Sequence, residues 1–352
     1  MKPIGEAGSS RLIFLDYLRV FAFSSVLIGH KFYDSLVRFA DSSSGLLSGA
    51  TKAVLPMFWG GGAGVVVFFL VSGYIIGHVL LKESTGVFLV KRIFRIYPLY
   101  VAAVLLQAAV AHFYDHQPLP AFWVLLAQLS LLGDWFHAPL TLNGVEWTLR
   151  LEVLFYGVMA LLKSTGFMDD RRRLLPLALV VITAAIYILG PLPQGTFPYP
   201  NYISVFMPIL FIGLLLLLVE RGEFSAPLFA LLALAVLGRL VMVTDQMHPA
   251  GFALFGAYAF ALFWAAWLGR KHLRSGRPVL ILSGLTYSIY LFHNWAWEPL
   301  RSLLLRANIG VLPVDVLVLV AVLTLCYFVH QTIERGGIAL GSASLRLQRK
   351  PA

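Results

Sequence analysis

The sequence predicts an all-α fold: a polytopic transmembrane helical bundle of about ten spans, with one short re-entrant or peripheral helix near residues 121–133. Three observations carry that prediction. Of 352 residues, 59% are hydrophobic and 12% charged, and the mean hydropathy is +0.82. The apolar residues fall in runs near twenty long, the length that the hydrocarbon of a bilayer requires, instead of at the i, i+3, i+4 spacing of a half-buried soluble helix. Lys and Arg gather in alternate breaks between those runs, as the positive-inside bias demands.

The first run, 12 to 32, carries Asp16 and Arg19 and lacks a small-residue cleavage site, so it is read as a retained helix and not a leader. Runs at 63–81, 96–114, 146–163, 174–190, 201–219, 226–243, 250–268, 279–299 and 312–333 follow. The stretch 121–133 is apolar but short for a crossing. Charge settles its status. If it does not cross, Lys82, Lys91, Arg92, Arg95, Lys163, Arg171 to Arg173, Arg221 and the 270–277 cluster share one side with both termini, including Lys2, Arg11, Arg349 and Lys350. Lys31, Arg38, Lys52, Arg301 and Arg306 then lie opposite. A full crossing would invert everything downstream and turn the Arg171 to Arg173 cluster outward, against the bias. Both termini are therefore expected to be cytoplasmic. The loops Pro191 to Pro200 and Thr244 to Pro249 hold Pro and Gly but few charges and fit short outer connections.

A lone cysteine, Cys326, excludes an internal disulfide and offers no metal site. The net charge of +10 is accounted for by topology, so no nucleic-acid partner is expected. The tail after Glu334 is too short for a folded domain. One integral-membrane domain over 1–352, without a soluble appendage, is the expectation.

Polar groups at membrane depth are costly and mark function. Arg19 and His30 are eleven residues apart, about three helical turns, so they share one face roughly 16 Å apart along the axis. Alone, His30 reads as an interfacial histidine; with Arg19 on the same face, a functional site is the better reading. Next come Lys91, Arg92, Arg95, Tyr97 and Pro98. Arginine forks grip phosphate bidentately, Arg92 and Arg95 are one turn apart, and Pro98 suits the first turn of the next helix, whose free amides would add positive potential. About half of that signal is plain positive-inside anchoring.

Glu146, Trp147, Arg150 and Glu152 then enter from the outer side. Glu146 and Arg150, four apart, fit an intrahelical ion pair. That pairing leaves Glu152 unexplained, and a Glu and a His at similar depth are the parts of a general-base pair. Ser72, Gly73 and Tyr74, and Tyr287 to Phe292, read as scaffold, with His293 the exception. The histidines at 78, 112, 116, 137, 248, 272 and 330 read as interfacial.

Taken together, the Arg19 to His30 spacing, Phe69 to Tyr74 (FLVSGY), Lys91 to Pro98 (KRIFRIYP), Trp147 to Tyr156 (WTLRLEVLFY) and Tyr287 to His293 (YSIYLFH) resemble the membrane-bound acyltransferase 3 family. The resemblance runs in order over nearly the whole chain. It implies transfer of an acyl group, acetyl foremost, from cytoplasmic acyl-CoA to a hydroxyl of an extracytoplasmic glycan such as O-antigen, exopolysaccharide or periplasmic glucan, at a bacterial inner membrane. By the same resemblance His30 is the base, Arg19 an essential partner, and Arg92 and Arg95, with Lys91 and Tyr97, the site for the acyl-CoA phosphates. Glu152 matches the first acid of the tryptophan-led motif; Val153 stands where many members carry a second. Trp147, Glu146 and His293 are expected to face the acceptor. The implied partners are the bilayer, the glycan acceptor and glycan-assembly or export proteins, with no metal. No counterpart of the esterase-like soluble domain of longer relatives is expected, so direct transfer of the acyl group, or a separate partner, is implied. A secondary transporter or lipid-linked sugar flippase is the alternative, since it too would bury Arg, Glu and His along a pathway.

Overall fold

The computed structural model describes residues 12–193, 201–247, 254–307 and 313–348. Lys2, Arg11, Arg349, Lys350, His248, the start of the 250–268 run and most of the Pro191 to Pro200 loop fall outside them. Among the described residues every regular element is helical. Six segments are long and apolar enough to cross a membrane: 13–31, 45–80, 85–113, 202–220, 226–245 and 314–347.

The described residues open with α1 (Ile13–Lys31) and then make a hairpin of α2 (Tyr33–Ser42) and α3 (Gly45–Phe58), in the break between the first two apolar runs. Next come α4 (Gly62–Leu80), α5 (Thr85–Phe113), the short α6 (Phe122–Leu129), α7 (Trp147–Ser164), α8 (Leu174–Leu189), α9 (Tyr202–Glu220) and α10 (Ala226–Met247). The chain continues through α11 (Phe255–Leu268), α12 (Arg277–Phe292), α13 (Trp297–Arg306), α14 (Val314–Val329) and α15 (Arg335–Gln348). The expected 279–299 span thus stops at Phe292. The 312–333 span runs on through a π-helical turn, His330–Glu334, into α15, which packs along α5.

Polar contacts sort the connections into two ends. At one, the basic end, Arg171 pairs with Glu223 at 3.3 Å, Arg270 with Glu220 at 3.2 Å, and the Tyr17 hydroxyl donates to the Arg274 carbonyl at 3.0 Å. At the other, the far end, the Asn294 amide donates to the Asn143 carbonyl at 3.0 Å and the Tyr258 hydroxyl to that of Ala53 at 2.6 Å.

Helix α4 is the axis of the bundle, buried along most of its length against α1, α9 and α11. Two glycines make its contact with α9 close. A Cβ on Gly73 would lie 1.8 Å from the Leu210 carbonyl oxygen, and one on Gly213 would lie 2.1 Å from that of Leu70. Gly60 and Gly61, at φ +53° and +72°, take the left-handed turn between α3 and α4 that side chains rarely adopt. Gly29 of α1 accepts the turn, since a Cβ there would meet Gly61 and Phe58 backbone at 2.3 Å. The backbone of Gly60 is thereby held beside the end of α1.

One expectation fails outright. Pro98 does not open a helix: α5 starts at Thr85, capped by the Ser84 hydroxyl, which accepts from Val87 N at 3.4 Å, and runs through the whole 91–98 motif. The amides of that motif are used inside the helix, so they add no free N-terminal donors.

Candidate active site

Two cavities lie end to end inside the bundle. The basic-end chamber, about 80 Å³, is lined by Arg19 of α1, Ser72 of α4, Arg92 and Arg95 of α5, Glu152 and Tyr156 of α7, and Ser283 to Tyr287 of α12. The far chamber, about 350 Å³, is lined by His30, Trp59, Gly60, Trp147, Tyr202, Phe206, Phe255 and Tyr290, with Val243 and Thr244. Val26, Val65 and Tyr290 line both, and so form the partition between them.

Helix α1 supplies the common wall. Arg19, Ala22, Val26 and His30 follow at steps of three or four and make one stripe, with Arg19 in the first chamber, Val26 at the partition and His30 in the second. The Phe68 ring lies parallel to that of Tyr290, centroids 6.3 Å apart. Tyr290 is fixed in turn: its hydroxyl donates to the Val145 carbonyl at 2.9 Å and accepts from Thr148 at 2.8 Å.

In the basic-end chamber the Arg92 guanidinium sits 5.6 Å from the Phe88 ring centre and 5.9 Å from that of Tyr156. Its Nε is buried and has no hydrogen-bond partner among the described residues. Glu152 accepts from the Tyr156 hydroxyl at 2.5 Å and from Ser72 at 3.2 Å. Asp16, one turn before Arg19, accepts from Ser283 at 2.6 Å and ties α1 to α12.

The expected carboxylate partner of His30 is absent from its side. Glu152 belongs to the other chamber, and Glu146 is fully buried in a separate cluster. That cluster centres on Arg150, whose guanidinium pairs with Asp134 at 2.9 Å and with Glu146. Thr141 N donates to Glu146 at 2.9 Å, Tyr100 donates to it at 3.4 Å, and the Tyr202 hydroxyl contacts Asp134. Arg150 and Glu146 thus hold the 133–146 loop to α7, and their own pairing is the one the i, i+4 spacing predicts. Asp134, sixteen residues away in sequence, carried no signal of its own.

The partner of His30 is His293. Their Nδ1 and Nε2 lie 2.9 Å apart, and His293 Nδ1 faces the carbonyl oxygens of Tyr290 and Ile289 at 2.8 and 3.1 Å. Gly60, in the turn between α3 and α4, lines the same chamber as His30.

Trp147 lines the far chamber as expected, its ring 5.3 Å from Tyr202 and 5.0 Å from Phe206. Four expected site residues, Lys91, Tyr97, Glu146 and His293, line neither chamber, so Glu146 and His293 do not face the acceptor cavity as expected: one is taken up by Arg150 and the other by His30. Lys91 pairs with Glu83 at 2.5 Å, and the Tyr97 hydroxyl donates to the Ser130 carbonyl at 2.9 Å, anchoring the segment after α6. His330 is no interfacial histidine: its Nδ1 meets the buried Glu334 at 2.9 Å, beside Ser288, which donates to the same oxygen at 2.8 Å. No group of three or more His, Cys, Asp or Glu among the described residues could hold a metal ion.

No curated protein and no solved structure matches the chain. A family model described as an acyltransferase domain, that of the acyltransferase 3 family, matches residues 12–331. A match over nine-tenths of the sequence, across both chambers and every motif that lines them, places this chain in the acyltransferase 3 family of membrane acyltransferases.

Proposed function

We propose that the protein is an O-acyltransferase that receives acyl-CoA at the basic end and passes the acyl group across the partition to a hydroxyl in the far chamber. The observation that carries this reading is the α1 stripe: one helix face presents Arg19 to one chamber and His30 to the next, with Val26, Val65 and Tyr290 lining both.

The donor fits the residues present. An anion supplies the acceptor that the buried Arg92 Nε otherwise lacks, and Arg92, Arg95 and Arg19 are suited to phosphate or to a developing negative charge. At about 80 Å³ this chamber is smaller than the roughly 300–1,000 Å³ of ordinary ligand sites. It admits the narrow thioester end of a donor and leaves the nucleotide at the mouth, which favours a short acyl group such as acetyl. The far chamber falls within that range. Its described lining holds six aromatic rings besides His30 and no Asp, Glu, Lys or Arg, which favours an uncharged glycan ring stacked on aromatic faces.

In the proposed step His30 takes the proton of the acceptor hydroxyl as its oxygen attacks the thioester carbonyl. The carbon–sulfur bond breaks, and the departing thiolate takes the proton from His30. The proposal includes ten spans, α1, α4, α5, α7 to α12 and α14, with α6 peripheral. It sets both termini and the basic end in the cytoplasm of a bacterial inner membrane, where glycan-assembly or export proteins would supply the acceptor.

Proteoliposomes given labelled acetyl-CoA and a neutral oligosaccharide test the reading. Wild type should form labelled ester and His30→Ala should form none. Full transfer by correctly inserted His30→Ala, or a wild type that neither transfers nor hydrolyses the label, would refute it; the second result is what a flippase gives.

A further inference from the structure

The His30–His293 contact has a definite proton arrangement. Among the described residues His293 Nδ1 faces only carbonyl oxygens, those of Tyr290 and Ile289. Carbonyls accept and never donate, so this nitrogen carries a hydrogen. In neutral His293 the other nitrogen, Nε2, is then a lone pair. That lone pair lies 2.9 Å from His30 Nδ1, so the hydrogen between the rings belongs to His30.

Ring geometry agrees. The centroids are 5.1 Å apart and the planes 20° apart, close to the greatest separation that a 2.9 Å nitrogen contact permits. The rings therefore meet edge to edge in nearly one plane, with the N–H aimed along the neighbour's lone pair, and are not stacked face to face. His293 itself is 1% exposed at the end of α12 and is held by two backbone contacts, so its ring cannot turn to suit another partner.

We propose that His293 is a positioning residue that fixes His30 as the Nδ1–H tautomer and so leaves Nε2 as the basic lone pair facing the far chamber. The inference rests on the reading of His30 as the base. Hydrogen-bond accounting gives it further support. The two neutral rings carry two ring protons, which fill the His293–carbonyl and inter-ring contacts. The nitrogen left over, His30 Nε2, is then the one open to the proton of the hydroxyl being acylated. An imidazole in the place usually taken by a carboxylate also keeps the resting pair uncharged, which lowers the cost of placing it beside an apolar chamber. His30 thus reaches a defined tautomer without a buried anion.

The test uses full-length protein in nanodiscs, with acetyl-CoA and a neutral oligosaccharide as substrates. His293→Phe keeps the ring bulk and removes both nitrogens. It should lower kcat by at least about 100-fold, the low end of what a correctly positioned general base contributes, while KM for acetyl-CoA stays within about twofold, because the basic-end chamber lies across the partition. Nitrogen-15 NMR of the wild-type His30 ring, assigned by its loss in His30→Gln, should show protonated Nδ1 and bare Nε2. Wild-type kcat in His293→Phe, or a His30 ring protonated at Nε2 in the resting wild type, overturns the inference. A parallel His30→Ala sample keeps the two claims apart: activity there removes the base reading, whereas an inactive His30→Ala beside a fully active His293→Phe removes only the role of His293.

Discussion

Arg150 and Glu152 stand two residues apart on α7 and should separate stability from turnover. Two residues turn a helix by about 200°, so the side chains leave on opposite faces. Arg150 faces the 133–146 loop, with 1% of its side chain exposed, between Asp134 and Glu146 at 5% and 0%. Replacing it by Met leaves two carboxylates buried together with no counter-charge. Removal of one partner from a buried ion pair costs about 3–5 kcal/mol. In a chain of this size that lowers the melting midpoint by roughly 5–10 °C. Glu152→Gln keeps an oxygen for the Ser72 and Tyr156 hydroxyls and removes only charge, so its melting point should stay within about 2 °C of wild type. Its acyl transfer should fall at least about tenfold, because the basic-end chamber, lined also by Arg19, Arg92 and Arg95, loses its one carboxylate among the described lining residues. Thermal melts in detergent, run beside acetyl-transfer assays on the same samples, read both quantities. Arg150→Met melting with wild type, or Glu152→Gln turning over normally, would refute the division.

Three further outcomes follow from the geometry. Arg92→Gln and Arg95→Gln should each raise KM for acetyl-CoA by roughly tenfold, and the loss should shrink as ionic strength rises, because salt weakens the wild-type contact; steady-state kinetics at two salt concentrations check this. Val65→Ala opens the partition by two methyl groups and should raise kcat/KM for propionyl- over acetyl-CoA by about tenfold, the usual worth of one methylene in a tight pocket; a series of acyl-CoA lengths reads the ratio. Gly73→Leu should yield no folded protein, since even a Cβ at that position lies 1.8 Å from the Leu210 carbonyl oxygen; size-exclusion chromatography of the solubilised membrane fraction shows the loss.

How much of this was legible in the sequence depends on the range of the interaction. The α1 stripe was, because Arg19, Val26 and His30 belong to one helix and the 3.6-residue period fixes their common face. So was the Glu146–Arg150 pair, for the same reason. The start of α5 was not: the charges at 91–95 look like a loop, yet Lys91 meets Glu83 and Arg92 lies against Phe88 and Tyr156, so the helix carries them. The pairing of His30 with His293 is a contact across 263 residues, and no local pattern encodes it. The expected His–Glu pair failed because similar depth on two helices does not set which way each side chain turns; Glu152 faces Ser72 across the basic-end chamber. Asp134 was invisible for the same reason, its role set by how the loop folds back on α7.

The central claim is that two chambers sharing the Val26, Val65 and Tyr290 partition pass an acyl group from one end of the bundle to the other. Sealed proteoliposomes with the protein inserted in one orientation test it directly, with labelled acetyl-CoA only on the basic-end side and an impermeant neutral oligosaccharide only on the opposite side. The account predicts labelled ester on the oligosaccharide and free CoA left on the donor side. Ester formed only when both substrates are on the same side, or intact labelled acetyl-CoA recovered across the membrane, would contradict it.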